Sequence, residues 1–161
     1  MDNKIYMPFF EATKDVLKLM LDIEAESKAG ENQDNIFDSE NKLNISIGLT
    51  GDIKGEILYK FPKETTLEMA KIMSGMEFNE VDDFVTSAVG EIANIISGKA
   101  LIALSEKEIQ CDILSPKVIM DAKYNDTYSE SHFSKVCTDI GEIEIDIYSD
   151  LSKCNNEEAV S

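Results

Sequence analysis

Basic residues are scarce in this chain: fifteen Lys and Arg stand against thirty-two Asp and Glu, a formal net charge of -17. Nucleic-acid backbones and anionic membranes would repel such a surface, so neither is expected as a partner. Long apolar runs are missing too, and no stretch reaches the roughly eighteen apolar residues of a spanning helix. The opening MDNKIYMPFF is acidic by its second residue and lacks the pattern of a signal peptide, so the chain is expected in the cytoplasm. Cysteine is limited to Cys111, Cys137 and Cys154, widely scattered and without a CxxC pair, and His132 is the only imidazole. A structural metal site and a disulfide framework are both poorly supported by that set. Cys111 and Cys137 fall in apolar segments and read as small buried hydrophobes. Cys154 falls in a polar tail.

What is present suffices for one core. With 161 residues and 43% hydrophobic content, the chain reads as a single domain over 1–150, followed by an acidic tail at 151–161 expected to fray. The segment Met7 to about Glu26 has the spacing of an amphipathic helix, with Phe9 or Phe10, Thr13, Val16, Leu17, Met20 and Leu21 inward and Pro8 near the first turn. From Ser27 to Asn41 the chain turns polar and acidic, a loop in which Ile36 and Phe37 are possible pins. Leu43, Ile45, Ile47 and Leu49 alternate, Thr50-Gly51-Asp52 turns, and Ile53, Ile57, Leu58 and Tyr59 resume, which predicts an antiparallel hairpin. Gly48 and Gly55 inside those strands point to a bulge or close backbone approach.

Pro62 closes the hairpin, and Glu64 to Ser74 predict a helix capped by Gly75, with Leu67, Ala70, Ile72 and Met73 available for burial. Met69, Met73 and Met76 read as adaptable core filler. A longer helix follows from Val81 to Leu104, with Asp82 and Asp83 in its first turn where negative charge favours the dipole. Short strands are expected at Ile109 to Leu114 and from Val118, with Ser115-Pro116 as a break. A final pair runs from Tyr128 to Thr138 and from Glu142 to Tyr148. Ile143, Ile145 and Ile147 alternate there with Glu142, Glu144 and Asp146, one dry face and one acidic face taken to be solvent. The fold class is therefore α+β: a mainly antiparallel sheet covered by two central helices, plus an N-terminal helix.

Conventional catalytic constellations are absent from this pattern. No nucleophile elbow accompanies His132, no HExxH or calcium loop occurs, and no carboxylate pair sits in a setting that would raise one pKa. The long helix carries the informative residues. Ser87, Glu91, Asn94 and Gly98 recur at steps of four, three and four, a narrow polar or small stripe beside an apolar arc of Val85, Ala88, Val89, Ile92, Ile95 and Ile96. On spacing alone the stripe is most simply a solvated helix face. Yet a carboxamide can hold a water in line with a phosphorus, and a carboxylate can pair with a lysine that neutralises phosphoryl oxygens. Such a helix would complete an active site whose remaining parts come from another protein.

The run Ser87-Ala88-Val89-Gly90-Glu91-Ile92-Ala93-Asn94-Ile95-Ile96-Ser97-Gly98-Lys99-Ala100, followed by Ser115-Pro116-Lys117-Val118-Ile119, resembles the signature of the chemotaxis phosphatases of the CheC, CheX and FliY group. That signature places a Ser or Asp four before the Glu, an Asn three after it, and a Pro some two dozen residues on; Ser87, Glu91, Asn94 and Pro116 match it. The Gly51-Asp52-Ile53-Lys54-Gly55 turn fits as well, and one Glu-Asn helix rather than two makes the chain most like CheX. The resemblance implies a homodimeric phosphatase acting on the aspartyl phosphate of a CheY-type response regulator. It implies that Asn94 orients the attacking water, that Glu91 bridges to the regulator's lysine, and that Ser87 and Gly98 support the helix face. The chain would bind no cofactor, and Mg2+ would reside in the partner regulator. After Pro116 the chain continues Lys117-Val118-Ile119-Met120-Asp121 where a valine-rich strand into glycine is usual. A non-catalytic scaffold of the same fold, docking a regulator through this helix, is the alternative.

Overall fold

A computed structural model describes residues 3–28, 42–119 and 127–150. Helix α1 (Asn3–Leu21) and strand β1 (Ala25–Lys28) are followed by β2 (Lys42–Gly51) and β3 (Gly55–Pro62). Helices α2 (Lys63–Ser74) and α3 (Asp83–Glu106) come next, then β4 (Cys111–Ile113), β5 (Lys117–Ile119), β6 (Glu130–Thr138) and β7 (Gly141–Ser149). The acidic tail 151–161 with Cys154, the pins Ile36 and Phe37, and Met120 lie outside the described residues.

The strands form one sheet in the order β1-β6-β7-β3-β2, with β4 and β5 both paired to the outer edge of β2. Every pairing is antiparallel, with tight hairpin links joining β2 to β3 and β6 to β7. Side chains of alternate residues line opposite faces. Ile45, Ile47, Ile57, Tyr59, Phe61, Ile143, Ile145 and Ile147 join Phe9 and Leu17 of α1 and Met69 of α2 in the main core. The hairpin glycines are explained by close approach: a Cβ on Gly55 would stand 2.0 Å from the carbonyl oxygen of Tyr148, so only a bare backbone lets β3 and β7 pair there.

Several expectations are corrected. Helix α1 begins at Asn3 rather than Met7, places Pro8 in its interior rather than its first turn, and ends at Leu21, where Asp22 turns left-handed at φ 57. The segment after it is not yet loop: Ala25–Lys28 pairs with β6, an edge strand too short to show a period. Met20 is exposed, as are Ile72, Met73 and Met76, whereas Thr65 and Thr66 are buried with Met69. Helix α2 starts one residue earlier than expected, at Lys63, and buries Thr65, Thr66, Met69 and Ala70. Gly75 does cap it, with φ 77 and its N–H donating to the Lys71 carbonyl at 2.7 Å. Cys111 and Cys137 are half-buried rather than buried.

The largest correction concerns β7. Its acidic face is not solvent, because Glu144 and Asp146 are both buried on the sheet face away from the helices. The cause is register: β7 is central, Lys60 of β3 and Lys135 of β6 stand opposite Glu144, and Lys42 reaches Glu144 from β2 beyond. Lys60 Nζ lies 2.9 Å from Asp146 Oδ2 and 3.9 Å from Glu144 Oε2, and Lys42 Nζ lies 2.6 Å from Glu144 Oε1. Among the described residues no hydrogen bond of regular geometry reaches either Asp146 oxygen. Burial pushes the Asp146 carboxyl up to about 6, with the Lys60 charge opposing the rise and Glu144 adding to it. A smaller apolar cluster of Leu58 and Tyr148, flanked by Ile119, Tyr128 and Phe133, shares that face.

Candidate functional site

Helix α3 starts where its sequence stores the cap. Asp82 is extended, and its carboxylate accepts a hydrogen bond from the Val85 N–H at 2.9 Å, satisfying an otherwise orphaned donor. Asp83 follows in the first turn. Val85, Val89, Ile92, Ala93, Ile96, Ala100 and Leu104 are buried, so one full side of the helix lies on the sheet and α1. By length and composition α3 also has the character of a membrane-crossing segment, but its apolar side belongs to this core. Ser97 is the polar residue on that side, and its hydroxyl pairs with the Tyr59 hydroxyl at 2.8 Å. The helical spacing puts Ser97 four residues after Ala93 and one after Ile96, on the buried side, which is the signal in the sequence that could have found it.

The opposite side of α3 carries the stripe. Ser87 and Glu91 are exposed, and Asn94 and Gly98 are half-exposed. Among the described residues, neither Glu91 nor Asn94 is engaged in a hydrogen bond or ion pair. A Cβ placed on Gly90 or Gly98, one turn to either side of Asn94, would meet nothing within 4 Å. The carboxamide is thus flanked by bare backbone, and a bulky object can come close to it. A carboxylate acceptor and a carboxamide that both donates and accepts stand three residues apart and free to act on something outside the chain.

Pro116 is half-buried in the link between β4 and β5, and α3 packs against both strands, though no hydrogen bond joins Pro116 to the stripe. Ser87, Glu91, Asn94 and Gly98 are thus brought together on α3, while Pro116 belongs to the sheet edge beside it. His132 lies elsewhere, its ring 4.4 Å from that of Tyr6, and burial holds its imidazole below the ordinary value. Among the described residues no group of three or more His, Cys, Asp or Glu is arranged to hold a metal ion. An open cleft of about 390 Å³ lies on the far face, lined by Ser46, Lys54, Leu114, Lys117 and Tyr128 among others.

Known proteins resemble this chain in sequence and in fold. Residues 43–139 match the family model described as chemotaxis phosphatase CheX. The CheY-P phosphatase CheX of Thermotoga maritima is 39% identical over 74 residues, which are 45% of this chain and 48% of that protein, so the match spans about half the relative's length. The chemotaxis protein CheX of Desulfovibrio desulfuricans superposes with a TM-score of 0.76 at 28% identity, covering 90% of this chain and 98% of the other. CheX of Borrelia burgdorferi, in a crystal structure with CheY, BeF3 and Mg2+, superposes at 0.70 with 25% identity, covering 90% and 97%.

Proposed function

The chain belongs to the CheX family of chemotaxis phosphatases, and from that membership we propose that it hydrolyses the aspartyl phosphate of a CheY-type response regulator. The observation that carries this reading is the pairing of an exposed Glu91 with an accessible Asn94 on the outward side of α3, neither tied to another group among the described residues. One relative is named for dephosphorylating CheY-P, and another crystallised with CheY bearing a beryllofluoride and Mg2+.

Asn94 holds a water in line with the phosphorus through its carboxamide. The water oxygen bonds to phosphorus as the bond from phosphorus to the aspartate oxygen breaks. The carboxylate leaves, and the water's protons go to the phosphate and solvent. Asn94 is no base, so its part is orientation rather than proton removal. Glu91 pairs with the regulator's lysine and fixes the two proteins in register. Mg2+ belongs to the regulator's site and neutralises phosphoryl charge there. Ser87 and Gly98 keep the rim of the helix low, and Pro116 shapes the neighbouring sheet edge. The protein works in the cytoplasm as a homodimer with one such site per subunit.

The test is phosphate release from phosphorylated receiver proteins of the organism that encodes this chain, with wild type, Asn94→Ala and Glu91→Ala. Both variants should fold normally, because both side chains face outward, and both should lose at least about tenfold in kcat/KM. Undiminished turnover in folded variants would sink the assignment.

A further inference from the structure

The outward side of α3 holds more than the polar stripe. Phe84 is 51% exposed and Ile102 is 63% exposed, large apolar residues that the core does not use. At roughly 100° per residue both point in nearly the direction of Glu91. Phe84, Ala88, Glu91, Ile95, Gly98 and Ile102 recur at steps of four, three, four, three and four, a ridge about 27 Å long at 1.5 Å per residue in which Ala88, Ile95 and Gly98 are half-buried and Ile95 also packs on the main core. Phe84 is also held in place: its ring stacks on Phe78 at 5.2 Å and 11°, and Phe78 packs on the main core. One face of the Phe84 ring is therefore backed and the other offered.

We propose that Phe84 and Ile102 are apolar anchors that seat the response regulator on either side of its phosphoaspartate, setting affinity and partner choice along the α3 ridge. The inference rests on the phosphatase reading for the identity of the occupant. The ridge runs through Glu91, with Asn94 beside it, so whatever covers the catalytic pair meets the anchors as well. A second copy of this chain is a poor occupant. An antiparallel pairing that brings Phe84 against Ile102 sets each Glu91 against the other copy's Ile95, a desolvated carboxylate with no cation opposite. A receiver brings that cation as its lysine. The ridge carries Glu91 as its only charge, so a chain of net charge -17 can meet an acidic partner by shape and one ion pair rather than by long-range attraction.

The experiment uses Phe84→Ala, Ile102→Ala and Ile102→Glu in the full chain. Two readouts are taken: steady-state phosphate release from the phosphorylated receiver, and titration against the same receiver loaded with Mg2+ and beryllium fluoride. Each variant should raise KM and weaken binding by about tenfold, Ile102→Glu the most, with kcat shifted far less. Unchanged KM and affinity in all three variants would overturn the proposal. So would an Ile102→Glu protein that sediments as a smaller oligomer while keeping its affinity, since the ridge would then be a contact between copies. Binding by the wild type without phosphate release would overturn the phosphatase reading alone, and the anchors would be judged on affinity. A wild type that binds no receiver overturns both.

Discussion

The hydroxyls of Tyr59 and Ser97 lie 2.8 Å apart, joining a central strand to the buried side of the helix that carries Glu91 and Asn94. Apolar packing is tolerant of small rotations, whereas a hydrogen bond between two buried hydroxyls is not. Burial also pushes the Tyr59 phenol far up, which keeps it protonated and able to donate. The pair fixes how α3 is rolled on the sheet, and so which residues face out.

Breaking that pair from the helix side should cost more than breaking it from the strand side. Ser97→Ala leaves the Tyr59 hydroxyl buried without its partner, a loss of about 1–3 kcal/mol. In Tyr59→Phe the Ser97 hydroxyl can turn to a carbonyl of its own helix, and the loss should be nearer 1 kcal/mol. Urea denaturation of the two variants and the double variant measures this. Equal losses, adding fully in the double variant, would mean the pair does not interact.

Gly90→Ala and Gly98→Ala should each stabilise the fold and slow the reaction. Both sites have open space for a methyl group, and Ala is preferred to Gly in a helix by about 1 kcal/mol. The added methyl stands one turn from Asn94, where the regulator must come close. Thermal melts rising while kcat/KM falls would bear this out, and a variant that is both more stable and fully active would refute it. At Gly55 the same substitution should be strongly destabilising, since the new Cβ collides with the Tyr148 carbonyl oxygen at 2.0 Å.

The buried acid Asp146 predicts a pH signature. Its folded pKa of about 6 lies above the ordinary 3.8, so between those values the folded state holds more proton than the unfolded state. Stability from this group is therefore greatest below about pH 4 and declines as pH rises towards 6, by on the order of 3 kcal/mol in total. Other carboxylates titrate nearby, so the readout is the difference between wild type and Asp146→Asn. That difference should move against the wild type as pH climbs through 4 to 6 and level off above. A flat difference across the window would show that the ion pair with Lys60 fully offsets the burial.

Asp82→Ala removes the cap of α3 and should cost about 1 kcal/mol. Asp82→Ser or Asp82→Asn should restore most of it, because either side chain can accept from the Val85 N–H. If neither restores stability in a thermal melt, the role of Asp82 is charge at the helix end and not the hydrogen bond.

The element pattern apart from β1, and the helix that carries the candidate site, were readable from residue order, because both follow from local periods. Ile45, Ile47 and Ile57 announce strands by alternation, and Val85, Val89, Ile92 and Ile96 announce a helix by their return every three or four residues. The same period put Ser87, Glu91, Asn94 and Gly98 on one stripe, and the order of those residues carried the family resemblance. Tertiary structure decided what lay beyond local spacing. Whether Glu144 and Asp146 met water or lysine depended on β3 and β6 flanking β7, a pairing across more than eighty residues on the β3 side. Whether Ser97 was surface or core depended on Tyr59 reaching it from the sheet. Whether Phe84 and Ile102 were core or ridge depended on how α3 was rolled when it packed. A sequence sets the intervals between side chains, and only packing says which side of each element is left facing outward.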